Sequence, residues 1–497
     1  MAGLIVVWAA WALFGPRVNG IPVGPETTFL DGPIDAAGYV DYGEAVREAG
    51  RVTPEDNAAV PLFRVTQAEL RRSIPAPQYV MACEDLNVPT QPDPAVQLPR
   101  ISNVPPPEGW DDTEVDGRTR TWRDVVDELW ERPWTEADHP HVAAYLRGGE
   151  TAVGVLADGL DRPGFWFFPD YGGRLYEHLL PMIQESREVA RFLLARAMLR
   201  LGEGDFEGAA ADIDLTRKLG RAIAQSPFLI SGLVGIAIDA MAGAAEIELL
   251  YAADGAAFLR RRLAALHAYD ADLHRRRMAV SLDRFERLSA LEIVQTVDRV
   301  RRGLEPPTVF NSIGITLTGL PWTLERMALR RVDLADASRR INGYMDSAIT
   351  ATDEPSAEAA GEAAGSLDVE PPGEGVFAQL DADYVNDRLV SLLLPAVRQA
   401  AVAAFRAKTK RELLRVLAAG RLFEIETGRP PTSPENLVPK YLPEWPTDHQ
   451  DGRPLKHRTR DGVWSVYGSD PTHTRPAPND LPPYLLIEFP RQPRDEP

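Results

Sequence analysis

Between Pro181 and roughly Arg302 the chain is patterned as long helices joined by very short turns, and short turns leave antiparallel neighbours as the only arrangement. Val189, Phe192, Leu193, Ala197 and Leu201 follow spacings of three, one, four and four, which places them on one helix face. Gly202-Glu203-Gly204 stops that helix and Asp205 caps a second one running to about Ala224. Pro227 interrupts, and Leu229 to Tyr251 is apolar enough for a buried third helix. The expected fold is therefore mainly α, built of antiparallel helical hairpins.

The regions on either side read differently. Pro22 to about Leu180 is punctuated by glycine and by many of the 43 prolines, which predicts rigid turns and ordered loops with helical islands. Thr53-Pro54-Glu55-Asp56 has the composition of a helix start, with Pro61 expected to kink or end that helix. Residues 110–176 are rich in aromatics, among them Trp122, Trp134, Phe165 and Trp166, which read as core filling, with a sugar- or peptide-binding lining as the alternative. Ala351 to Gly375 holds seven acidic and no basic residues, so it reads as a flexible acidic loop. Helical periodicity resumes from Asp387 to Glu426, broken once at Pro395 and ended by Gly428. Leu455 to Thr459 and Val463 to Tyr467, around Asp461-Gly462, read as a β-hairpin, with Tyr484 to Phe489 as a third strand. The expected parts are an anchor or signal-like segment (1–20), a proline- and aromatic-rich region (21–180), a helical domain (181–348), an acidic linker (349–376), and a helix with a small antiparallel β unit (377–497). The class is α+β overall.

Residues Ala2 to Gly15 carry no charge, yet fourteen residues span only about 21 Å of helix against a hydrocarbon core of ~30 Å. No basic residue precedes Leu4. The expectation is a hydrophobic anchor or signal whose basic part lies upstream of Met1, with a buried segment as the alternative. The net charge of −19 argues against nucleic acid as a partner. Cys83, the one cysteine, excludes a disulfide framework and a CxxC pair.

No HExxH, Walker A, GxSxG or GxGxxG motif occurs. His139 and His141, beside Asp138, are too few for a metal site. His267, Asp270 and His274, at i, i+3 and i+7, would align on one helix face, where exposed decoration is the simpler reading. Asp212 and Asp214 diverge by about 200° on a helix and cannot chelate together. Asp381 to Asp387 begins like a calcium loop, but Val385 stands where an oxygen is needed. Glu286 and Glu292 have the chemistry for acid/base work, without a partner legible in sequence. Eleven arginines against six acidic residues between 255 and 302 read as a solvated helix face. No catalytic residue, cofactor or metal ligand is assigned.

Two resemblances add to this. Gly428, Pro430, Leu437, Pro439, Tyr441, Leu442, Pro446, Asp448, Gly452, Pro454 and Leu455 resemble the globular part of bacterial type II secretion pseudopilins, with His457 where that pattern prefers Tyr. The likeness covers about the last 110 residues. A pilin's long helix begins at its processed N-terminus, whereas this one begins near residue 387, so a conventional fibre subunit is not implied. Some pseudopilins bind calcium after the hairpin, but Asp470 and Asp480 are too thin a set to carry that over. The segment around Gly202 also faintly resembles one tetratricopeptide unit, without a second copy. The chain as a whole, through residues 24–42, 53–60 and the helical centre, is similar to a widespread planctomycete family of membrane-anchored or exported proteins, which implies an extracytoplasmic placement and brings no known activity. The expected role is a tethered or exported helical scaffold with protein partners. The alternatives are an exported hydrolase or carbohydrate-acting enzyme, with its cleft between the N-terminal region and the helices, and a component associated with a secretion apparatus.

Overall fold

The computed structural model describes residues 20–115, 118–168, 174, 175, 180–270, 272–306, 333–365, 394–469 and 486–491. The apolar segment at Leu4 to Phe14, Tyr171, Tyr176, Asp381 to Asp387, Asp470 and Asp480 lie outside the described residues.

In the N-terminal region, α1 (Tyr42–Gly50) is capped by Asp41, whose carboxylate accepts from the Glu44 amide at 2.9 Å. Pro54–Asp56 forms only a 3-10 turn, and α2 (Ala59–Ser73) starts after it. Pro61 thus lies in the first turn of α2 instead of ending a helix. Amides there have no intrahelical acceptor, so proline loses nothing at that place. Asn57 supplies the start signal, its side-chain oxygen accepting from the Ala59 amide at 3.0 Å. Next come α3 (Ala76–Asp85), a two-stranded ribbon of β1 (Thr113–Val115) and β2 (Arg118–Arg120), and α4 (Trp122–Glu128). Helices α5 (Pro140–Arg147) and α6 (Glu150–Gly159) complete the region.

The helical layer follows the sequence pattern closely. Helices α7 (Pro181–Gly202), α8 (Phe206–Ile223) and α9 (Leu229–Ala252) pack in succession. Gly204 takes φ +80° in the first turn between them, and Asp205 accepts from the Gly208 amide at 2.9 Å. Where α8 crosses α9, Gly220 and Gly235 face each other. A Cβ on Gly220 would come within 2.8 Å of the Gly235 carbonyl, and one on Gly235 within 2.5 Å of the Gly220 carbonyl. Any larger side chain would push the two backbones apart.

Helix α10 (Ala256–Ala268) ends before α11 (Leu273–Ser281). Helix α11 continues through a π turn, Leu282–Glu286, into α12 (Arg287–Arg301). Helix α13 (Leu334–Ala351) is followed by α14 (Ala357–Gly365), inside the stretch expected to be a flexible acidic loop. Alanine has the highest helix propensity, and Ala357 and Ala360 cover Phe405, so a short helix outcompetes the loop. Helix α15 (Leu394–Thr427) keeps Pro395 in its first turn, and Gly428 follows at φ +71°.

The C-terminal unit is a three-stranded antiparallel sheet in the order β3 (Lys456–Arg460), β4 (Val463–Tyr467), β5 (Leu486–Phe489). Asp461 and Gly462 take φ +52° and +81°, as a two-residue type I′ hairpin requires. Across the sheet Trp464 opposes Phe489, their rings stacked at 5.7 Å.

One hydrophobic core extends from Ala58, just before α2, through α7, α8, α9 and α15 to Phe489, so the sheet is seated on the helical layer. A second gathers α1, α12 and α13 around Tyr42, Leu291 and Met345. No described helix is long and apolar enough to cross a membrane.

Candidate functional site

Among the described residues, three places that combine polar chemistry or concave surface bear on function. The first is a cleft of about 520 Å³ among α2, the loop at residues 97–103, α5 and α7, where the N-terminal region meets the helical layer. Arg100 organises it. Its Nε donates to Glu185 Oε2 at 3.1 Å, its Nη2 to the other carboxylate oxygen, and its Nη1 stands 3.6 Å from Glu69 Oε2. Glu188 accepts from Ser102 at 2.7 Å and from Arg191 at 2.8 Å. Burial pushes the Glu185 carboxyl above its usual range, against the pull of Arg100. All three carboxylates already have donors, which is the signature of a structural network more than of a poised acid and base.

The second is a charged centre inside the helical layer. Arg217 and Arg262 donate to Glu246 Oε2 at 2.9 and 2.5 Å, and Arg262 grips Asp214 with both terminal nitrogens at 2.7 and 3.0 Å. Arg411 donates to Asp239 at 2.8 Å, and the Tyr269 hydroxyl donates to the same carboxylate at 3.1 Å. The Tyr269 ring lies between two guanidinium groups, Arg221 at 3.5 Å and Arg411 at 2.9 Å from its centroid. Lys410 donates to the Ala240 carbonyl at 2.7 Å. Burial alone would raise the Asp239 pKa, but Arg411, His274 and Arg217 hold it well below the usual carboxylate range. Burial pushes the Lys410 amine down to about 8, with Asp239 opposing. The void here is about 10 Å³, room for one water at most, so this centre ties α8, α9, α10 and α15 together and admits no substrate.

The third place is the largest of these concavities, a groove of about 760 Å³ between α1, the loops at residues 29–33 and 163–166, and the wall formed by α11, the π turn and α12. Trp166 forms part of one side. Asn57 clamps its backbone, accepting from the amide at 2.9 Å and donating to the carbonyl at 2.8 Å. The indole lies directly over Gly50, where no Cβ would fit. Phe29, at φ +63°, contributes a second aromatic wall and carries the Arg287 guanidinium 4.3 Å from its ring centroid. Non-glycine residues at positive φ cost free energy and cluster at functional sites, as do π turns.

Most residues singled out in the sequence go elsewhere. His139 packs edge-on to Trp122 and Trp134, and His141 lies against Trp122; burial lowers both imidazole pKa values, and neither lines any of these three places. His267, Asp270 and His274 do not share a helix face, because the chain breaks between α10 and α11. His267 bonds the Leu263 carbonyl, Asp270 pairs with Arg276, and His274 is buried 3.8 Å from Asp239. Asp212 faces Arg196 and Arg200 while Asp214 faces Arg262, the divergence expected of neighbours two apart. Glu286 accepts from the Leu229 amide and Glu292 from the Leu175 amide, so the two carboxylates engage different segments of the chain. The arginine-rich stretch is not simply a solvated face, since Arg262, Arg287 and Arg301 are buried in ion pairs. Among the described residues no group of three His, Cys, Asp or Glu side chains could hold a metal ion. Sequence reasoning missed the ionic centre, although Asp239 and Glu246, seven apart on a helix whose one other charged residue is Glu248, were its signal.

No protein-family model, curated protein or solved structure matches this chain.

Proposed function

We propose that this protein is a tethered or exported helical scaffold that binds a small, largely apolar ligand in the groove beside α1. The observation that carries this reading is Trp166, an aromatic wall fixed in advance by Asn57 on its backbone and Gly50 beneath its ring. A preformed apolar concavity of several hundred Å³ is the usual form of a small-molecule site. The extracytoplasmic placement rests on the apolar N-terminal segment and the planctomycete family resemblance. The pseudopilin-like C-terminal unit fits a role in assembly, because its sheet is rigidly seated on the helical layer.

The test uses the full chain and N-phenyl-1-naphthylamine, an uncharged apolar fluorophore. Saturable one-to-one binding is expected. Val280 lines the groove at 41% exposure, so Val280→Asp would leave the core intact and weaken that binding at least about tenfold. Non-saturable binding, or indifference to Val280→Asp, overturns the reading.

A second reading, a carbohydrate-acting hydrolase, draws on the cleft of Glu69 and Glu185, where burial raises one carboxyl. It requires glycan hydrolysis that disappears in Glu185→Gln.

A further inference from the structure

We propose that the ligand of the groove beside α1 is an amphiphilic anion, an apolar chain ending in a carboxylate or phosphate, whose headgroup is held by Arg277 and Arg284. The inference rests on the groove being the ligand site and adds the chemical class. Both arginines line the groove, one on α11 and one within the π turn. Among the described residues, neither guanidinium has a carboxylate oxygen within 4.0 Å. Their neighbours on the same run of helix are all paired: Arg275 with Asp272, Arg276 with Asp270, Arg287 with Asp346 and Asp283, Arg299 with Asp35, and Arg301 and Arg302 with Asp298.

In a chain carrying 73 acidic residues against 54 basic ones, two arginines seven residues apart, lining the same groove and left without a counter-ion among the described residues, are conspicuous. Arg277 is half-buried, and burial, with Arg276 adding, depresses its guanidinium pKa. A partly desolvated cation without a partner is costly; an oxyanion accepting from Arg277 would offset that cost, and Arg284, which is exposed, is free to close on the same headgroup. Two acidic side chains share the groove. Asp283 is drawn to Arg287 at 3.3 Å, and Glu48 belongs to α1 on the other wall. The polar head is thereby directed to the α11 side, leaving Trp166 and Phe29 for the chain.

Calorimetric titration of the full chain with decanoate, decyl phosphate, decanol and inorganic phosphate tests this. At least one of the two anionic amphiphiles should bind about tenfold or more tightly than decanol, and Arg277→Gln and Arg284→Gln should each erase most of that difference while decanol affinity stays unchanged. The better of decanoate and decyl phosphate identifies the headgroup. Unchanged thermal melts of the two variants would exclude misfolding, since neither side chain has a partner to lose. Equal affinity for decanol and both anions overturns the headgroup assignment but leaves the groove reading standing. Inorganic phosphate binding as tightly as decyl phosphate overturns the amphiphile. If no amphiphile binds, both the inference and the groove reading fall.

Discussion

Arg411 on α15 and Asp239 on α9 meet at 2.8 Å in the protein interior, although 172 residues separate them. Both are almost fully buried. An interior ion pair adds little net stability compared with well-packed apolar residues, but losing one partner strands the other charge.

Asp239→Ala should therefore destabilise the protein by about 3–5 kcal/mol. Arg411→Met combined with Asp239→Leu should recover a large part of that loss. Urea denaturation of the single and double variants measures the coupling. Additive losses in the double variant would show that the pair does not act as a unit.

Lys410 sits beside this pair with its amine lowered to about 8, against 10.5 for the free side chain. Above pH 10.5 both the folded and unfolded chains carry a neutral amine. Between 10.5 and 8 the unfolded chain takes up a proton that the folded one resists, so stability rises with pH across that window and falls as pH is lowered through it. Lys410→Met should flatten the wild-type difference in urea midpoint between pH 8 and pH 10. The change is on the order of 3 kcal/mol at most. A variant with the same pH slope as wild type would contradict the assignment.

The facing glycines of α8 and α9 leave no room for a side chain. Gly235→Val should cost about 1–3 kcal/mol by overpacking, visible as a lower melting temperature. Gly232→Ala, on the same helix where an added Cβ meets no neighbour within 4 Å, should leave the melting temperature unchanged or raise it slightly. Equal effects at the two positions would mean that the close crossing is absent.

The helical layer was legible in the sequence because its cues were local. Asp205, Gly204 and the spacing from Val189 to Leu201 each act within a few residues, and all three took the expected places. The hairpin at Asp461-Gly462 was legible for the same reason. The site was not. Arg277, Arg284, Phe29 and Trp166 come from three distant parts of the chain, and an arginine's lack of a partner is a through-space property that no spacing encodes. Pro61 misled because its effect depends on whether it falls before or after the first turn. The alanines near residue 360 misled because acidic composition outweighed their contact with Phe405.

The ring of Phe489 rests against Gly420 and covers part of the main core from 69 residues further along the chain. During synthesis the long helix α15 must wait on the ribosome with that face bare until β5 emerges, so the nascent chain passes through a stage with a greasy stripe that needs shielding.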